Sequence, residues 1–281
     1  MSKIKGFKAE KSFAEKIACG RSFEDQISDI ENYGNHGVSE LLRNEVLAAH
    51  GIANPKKSAD YGLIFGCYRP FNTPYLLQDY IKLLDILNVD YTWFEKEYCC
   101  GLPLVTEDLE KGHIQGTKFA RKNLELAKEA SVKKLFYCCV GCAYAAKQAA
   151  KDSAEFHGYI LDLILENMKE NTCKTSPVRL GYFEGCHTFY RAHYPDANLD
   201  WPRYREVLDS LDGLSVFDLP NKLCCKQSAE KIIQKALENN LDKILCPCNG
   251  CYRALKAAAF GRLDVITYPE LLLEYLGNGV V

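Results

Sequence analysis

Ten of the chain's fourteen cysteines fall into two sets of five that share one order: a lone Cys, an adjacent pair, then a C-x-x-C. The first set is Cys67, Cys99-Cys100, and Cys139 with Cys142. The second is Cys186, Cys224-Cys225, and Cys248 with Cys251. Their surroundings repeat as well. Gly62 and Gly66-Cys67 read against Gly181 and Gly185-Cys186. Lys134 and Cys139-Val-Gly141-Cys142 read against Lys243 and Cys248-Asn-Gly250-Cys251, with Lys147 matching Lys256 beyond. Similarity at a long period implies two copies of one supersecondary unit, so the chain must fold as a duplicated protein. Five thiolates per copy exceed what one tetrahedral zinc takes. They suit a polynuclear iron–sulfur cluster, whose Cys ligands come from scattered segments.

The chain has 281 residues, room for one large domain or two of ordinary size. Apolar residues make up 47%, enough for a core in each half. With 35 basic and 37 acidic residues the net charge is −2, which argues against a nucleic-acid arm or a polybasic membrane patch. No apolar run approaches the roughly 18–20 residues of a spanning helix. Met1-Ser-Lys-Ile-Lys-Gly6 lacks the apolar core of a signal peptide, so a cytoplasmic protein with no direct membrane span is expected. In that reducing compartment many cysteines indicate metal or redox chemistry rather than a disulfide framework.

The spacing predicts an α/β protein. Residues 1–57 read as a helical N-terminal arm: Ser22 with Asp25 marks a helix start, and Val38 to Ala49 carries helical apolar spacing. The arm serves for packing or for docking a partner. The first half, 58–170, has strands at Tyr61–Phe65, Tyr91–Phe94 and Lys134–Tyr137. Its helices are expected over Leu76–Leu87, Phe119–Ala130 and Ala143–Ala150, followed by a connecting helix and linker across 152–177. The second half, 171–281, repeats the scheme with strands at 178–183, 214–218 and 243–245 and a helix at 228–239. Each cysteine group follows a strand. Strand ends are where open parallel sheets bind ligands, so three of them can converge on one cluster.

Four cysteinates complete a cubane and leave no open iron, which suits electron relay. A fifth thiolate permits a bridged, opened cluster whose labile iron takes a substrate sulfur. Gly66, Gly101, Gly141, Gly185 and Gly250 flank the ligands and allow backbone to approach the cofactor closely. The sequence Cys, about thirty residues, Cys-Cys-Gly, several tens more, Cys-x-x-Cys resembles the CCG cysteine-rich domain. Two copies over roughly residues 60–260 resemble the B subunit of heterodisulfide reductase and its relatives.

That resemblance implies two pseudo-symmetric Rossmann-like domains, each with a non-cubane [4Fe-4S] cluster. Cys67, Cys99, Cys100, Cys139 and Cys142 would hold the first, and Cys186, Cys224, Cys225, Cys248 and Cys251 the second. It also implies cleavage or formation of a small-molecule disulfide, or binding of a thiol. Electrons would arrive through a ferredoxin-like C subunit and a larger electron-input subunit. The alternative is an electron-transfer subunit of a dehydrogenase or quinone-linked complex.

Two departures bear on the second cluster type. Lys226 follows Cys224-Cys225 where Gly101 follows the first pair. Only 22 residues separate Cys225 from Cys248, against 38 between Cys100 and Cys139. His187, beside Cys186, and Lys226 are the catalytic candidates, since disulfide reduction consumes protons. Arg191 and His193 are candidates for an anionic substrate. Cys138 and Cys246 fall out of register with each other and read as buried packing; Cys19 and Cys173 read as unligated. Tyr68, Phe71, Tyr75, Phe189 and Tyr190 read as core.

Overall fold

The computed structural model describes residues 21–36, 39–52, 55–150, 156–168, 177–185, 187–220 and 223–277. Cys19, Cys173 and Cys186 lie outside the described residues. The chain divides into two compact units. One takes the described residues up to Gln78 together with Asp90–Leu163 and Tyr190–Asn198; the other takes Asp79–Val89, Ile164–Phe189 and the remainder from Leu199.

In the first unit β1 (Tyr61–Ile64), β2 (Tyr91–Trp93), β3 (Lys134–Tyr137) and β4 (His157–Tyr159) form a parallel sheet in the order β2-β1-β3-β4. Tyr61 pairs with both Tyr91 and Lys134, and Leu135 pairs with His157. Gly62–Ile64, Leu135–Tyr137 and all of β4 are buried, as expected of parallel strands with both faces covered. Along this stretch of the chain the helices are α3 (Arg69–Asn72), α4 (Pro74–Ile86), α5 (Leu102–Glu107), α6 (Leu109–Glu129), α7 (Val140–Ala149) and α8 (Ile160–Asn167), α4 being counted with the second unit from Asp79 on and α8 from Ile164 on.

The arm supplies α1 (Phe23–Tyr33) and α2 (Glu40–Ala49). The Ser22 hydroxyl accepts from the Asp25 N–H while Asp25 accepts from the Ser22 N–H, a capping box that fixes the start of α1. Gly34, at φ 75°, ends that helix in the left-handed region. Ser39 caps α2. The arm packs onto the first unit: Ile30 shares a buried cluster with Cys99, Leu104 and Phe119.

The second unit repeats the topology with β5 (Val178–Tyr182), β6 (Leu214–Asp218), β7 (Lys243–Leu245) and β8 (Asp264–Ile266), parallel and ordered β6-β5-β7-β8. The remaining helices in chain order are α9 (His187–His193), α10 (Trp201–Asp209), α11 (Cys225–Glu238), α12 (Asn249–Ala259) and α13 (Tyr268–Gly277). The duplicated α/β architecture with two parallel sheets is therefore as the cysteine repeat predicts. Among the described residues no helix is long and apolar enough to cross a membrane.

Several elements differ from expectation. The helix expected at Phe119–Ala130 begins ten residues earlier, at Leu109, where Asp108 accepts from the Lys111 N–H. Gly112 and Gly116 interrupt its apolar spacing and yet serve packing: a Cβ on Gly112 would lie 2.5 Å from the Leu104 carbonyl carbon, so α5 seats directly on α6. The segment expected as helix and linker contains β4 as well as α8, and β8 with α13 closes the second unit. β4 and β8 are three residues each and, unlike β2 and β7, lead to no cysteine group that marks their ends.

Candidate metal centre

Every cysteine of the first set sits where β1, β2 or β3 runs out. Gly66, at φ 83°, turns the chain after β1 and delivers Cys67; a Cβ there would lie 3.2 Å from the Cys142 Sγ. Cys99 and Cys100 follow β2. Gly101 caps α5 at φ 73°, where its missing side chain lets Gly116 approach. Cys139 caps α7, and Cys142 lies in that helix's first turn with Gly141 packed against Leu102 and Tyr190.

The five thiols form a continuous chain of contacts. Cys67 and Cys99 lie 3.2 Å apart, Sγ to Sγ. Cys99 bonds Cys100, Cys100 bonds Cys142, and Cys142 bonds Cys139. Their acidities diverge accordingly. The Cys142 thiol's hydrogen bond favours the Cys100 thiolate, but the Cys99 hydrogen bond, burial and the Cys99 charge prevail and push Cys100 up to about 12. Cys142, serving Cys100 and Cys139 as donor, is held well above the ordinary range. Cys139 falls to about 7, chiefly through the bond from Cys142. Backbone N–H groups also aim at sulfur: Leu102 at Cys100 and Cys142 at Cys139.

Five thiols so close, Cys99 and Cys142 buried and the others partly so, cannot all ionise side by side, because each charge opposes the next. A bound polynuclear cation relieves that repulsion and makes the thiolate the ordinary form. The donor set, the glycine cradle and the N–H groups therefore fit an iron–sulfur cluster. A small cavity of about 10 Å³ borders Cys100 and Cys142 beside Gly116.

The described cysteines of the second set sit at equivalent places. Gly185, at φ 89°, turns the chain after β5, and a Cβ there would lie 2.8 Å from the Cys251 Sγ. Cys248 caps α12 as Cys139 caps α7, and Gly250 lies beside Cys248. Cys225 and Cys251 are buried, Cys224 and Cys248 partly so. The two sequence departures have one structural cause. Where the first unit inserts α5 between its Cys pair and α6, the second starts α11 at Cys225, with Cys224 as its cap. No left-handed residue is required there, so Lys226 replaces glycine in a helical turn, its side chain exposed.

Cys138 and Cys246 are fully buried, and burial raises both thiols, consistent with packing. His187 opens α9; its side chain, like that of Phe189, lies outside the described residues. Arg191 is exposed, and His193 lies beside His113. Tyr190 is buried and stacked on Tyr144, but Tyr75 is 41% exposed and Tyr68 and Phe71 are half-buried, so the core reading of those aromatics holds for Tyr190 alone.

Three residues near the first centre escape sequence reasoning. Arg69, buried two residues after Cys67, favours the Cys139 thiolate. Tyr194 buries its hydroxyl, and burial followed by the charges of Cys100, Cys142, Cys99 and Cys139 raises it. His36 reaches Cys99 from the arm, with 3.3 Å between Nε2 and Sγ. Its signal is the sequence Gly34-Asn35-His36-Gly37, glycine-bounded and polar between two runs of helical spacing.

Comparison with known proteins accords with this geometry. Residues 61–147 match the CCG cysteine-rich domain. The D subunit of the dihydromethanophenazine:CoB–CoM heterodisulfide reductase of Methanosarcina mazei is 24% identical, over 78% of this chain and 59% of its own length. The C subunit of the anaerobic glycerol-3-phosphate dehydrogenase of Escherichia coli K12 is 25% identical, over 57% of this chain and 41% of its own. The chain thus spans about three-fifths or less of these relatives. A hypothetical protein from Helicobacter pylori shares the fold, with a TM-score of 0.52, 13% identity, and coverage of 85% of this chain and 56% of that one. Over residues 61–147 the chain is similar to the CCG cysteine-rich domain, and over a longer stretch to subunits of heterodisulfide reductase and anaerobic glycerol-3-phosphate dehydrogenase.

Proposed function

We propose that this chain is an iron–sulfur subunit of a heterodisulfide reductase-like redox complex, reducing or forming a small-molecule disulfide at non-cubane [4Fe-4S] clusters. The observation that carries this reading is the convergence of Cys67, Cys99, Cys100, Cys139 and Cys142, one thiol more than a cubane uses. When bound, such a cluster supplies single electrons and an iron that accepts sulfur. Around the first, Gly66 keeps the approach clear and the Leu102 and Cys142 N–H groups stabilise charge on sulfur; Gly185 keeps the approach clear at the second set. Arg69 adds a buried positive charge. Cys186, Cys224, Cys225, Cys248 and Cys251 are the proposed ligands of the second cluster.

Splitting an S–S bond takes two electrons and two protons. His187, at the head of α9, and exposed Lys226 beside Cys225 are the proposed proton donors. A ferredoxin-like C subunit and a larger electron-input subunit are the proposed partners; both relatives being subunits themselves supports this. The similarity to the C subunit of glycerol-3-phosphate dehydrogenase favours a second reading, in which the clusters only pass electrons within a dehydrogenase complex.

Anaerobic purification with iron, sulfide and zinc analysis tests the common part: about eight irons and eight sulfides per chain are expected for two four-iron clusters. EPR of the oxidised protein then separates the two readings. A paramagnetic signal altered by added thiols supports disulfide chemistry; signals seen only on reduction and indifferent to thiols support electron transfer. Zinc without sulfide overturns both.

A further inference from the structure

The first centre contains a potential ligand that the cysteine repeat does not. A His36 ring nitrogen, the Cys67 Sγ and the Cys99 Sγ all lie within 4.8 Å of one another, and among the described residues this is the one such grouping of three metal-ligating side chains. Two contacts are shorter: 3.3 Å from Nε2 to the Cys99 Sγ and 3.2 Å between the two sulfurs. Atoms bound to one tetrahedral metal at about 2.1 Å (N) and 2.3 Å (S) stand roughly 3.5–3.8 Å apart. The two short contacts thus need to open by a few tenths of an ångström, and the third pair to close by at most about 1 Å, to surround a single ion.

The imidazole is brought there by backbone rather than by a chance rotamer. The Gly34 carbonyl accepts the Cys99 N–H at 2.7 Å, and the left-handed turn at Gly34 presses against Glu97, where any Cβ would overlap the Glu97 carbonyl. Asn35 is buried, its amide donating to the Tyr33 carbonyl at 3.0 Å. The other ring nitrogen, Nδ1, is buried without a hydrogen-bond partner among the described residues, so Nε2 is the atom through which the ring engages its surroundings.

Resting on the iron–sulfur reading of the five cysteines, we propose that His36 is a further ligand of the first cluster, its Nε2 sharing one iron with the Cys67 and Cys99 thiolates. Iron in protein clusters accepts imidazole beside thiolate, and a neutral nitrogen in place of an anionic sulfur raises the reduction potential. The N-terminal arm then carries part of the metal site instead of merely packing against it. The two centres, matched in cysteines, would differ in ligand type and therefore in potential.

The test uses the full chain, purified anaerobically with and without ¹⁵N-histidine, and analysed for iron and sulfide before pulsed EPR. The expected result is a nitrogen hyperfine coupling of the size seen for directly bound imidazole, which changes with the isotope. That coupling should vanish in His36→Ala and in His36→Cys, the latter keeping iron and sulfide because it supplies a thiolate. Iron and sulfide present with no isotope-sensitive coupling, or with one only as weak as a hydrogen bond through sulfur gives, overturns the His36 assignment alone. A coupling that survives in His36→Cys does the same. Wild-type protein without iron and sulfide overturns the cluster reading, and this assignment with it.

Discussion

Arg43 joins the arm to the turn that delivers Cys67, and its removal should be felt across the first unit. Its guanidinium lies 3.1 Å from the Glu97 carboxylate, as a close ion pair rather than an aligned hydrogen bond, with both side chains almost wholly buried at 3% and 4% exposure. The Arg43 Nη1 donates to the Phe94 and Glu95 carbonyls at 3.2 and 3.1 Å, and the guanidinium lies near the Phe65 and Trp93 rings. Glu97 in turn accepts the Phe65 and Gly66 N–H groups at 2.9 and 2.7 Å.

Arg43→Ala leaves that carboxylate buried with backbone donors only. Breaking such a pair costs about 3–5 kcal/mol, a large part of the roughly 5–15 kcal/mol that holds a typical protein folded. At about 2–4 °C per kcal/mol, the first unit's transition should fall by roughly 6–20 °C. The double replacement Arg43→Met with Glu97→Gln removes the stranded charge together with its partner, so it should cost less than the sum of the single changes by about 1–3 kcal/mol. Circular dichroism of anaerobic protein during heating measures all four. Arg43→Ala melting within about 2 °C of wild type, or strict additivity in the double variant, would refute the reasoning.

Other consequences are as direct. Gly185→Ala places a Cβ 2.8 Å from the Cys251 Sγ at a left-handed position, so iron per chain should fall by about half while the fold persists by circular dichroism. Gly112→Ala must wedge α5 from α6, and urea titration should show a loss of about 1–3 kcal/mol. His157 is buried with its Nδ1 against the Tyr137 hydroxyl, and burial holds its pKa near 4 against an ordinary 6.5. The unfolded chain therefore binds the proton first as pH falls. Stability is complete above about 6.5, declines between 6.5 and 4 by roughly 3 kcal/mol, and loses no more to this group below 4. His157→Gln should flatten that part of the stability–pH curve.

The cysteine order made the duplication legible, and strands such as β1, β3 and β7 showed themselves as apolar runs ending at glycine or cysteine. What stayed hidden depended on tertiary contact. Gly112 and Gly116 look like helix breakers until α5 is seen resting on them. Lys226 looks like a lapse from Cys-Cys-Gly until the vicinal pair is found opening α11 directly. Arg43 and Arg69 carry no local pattern, since each gains its meaning from a segment distant in sequence. No periodicity reports a pairing of that range.

The reach of Arg43 to carbonyls 51 and 52 residues further along also sets an order of events during synthesis. At roughly 5–20 residues per second, the ribosome releases the arm some seconds before the backbone that receives it. Through that interval Ile30 and Leu47, fully buried in the finished fold, face solvent, and the guanidinium has no carboxylate. The arm is therefore the first part of the described chain to be made, yet it waits for Phe94 to Glu97 before it can settle. A nascent chain stalled before Glu97 would present it as an apolar handle for chaperones and proteases.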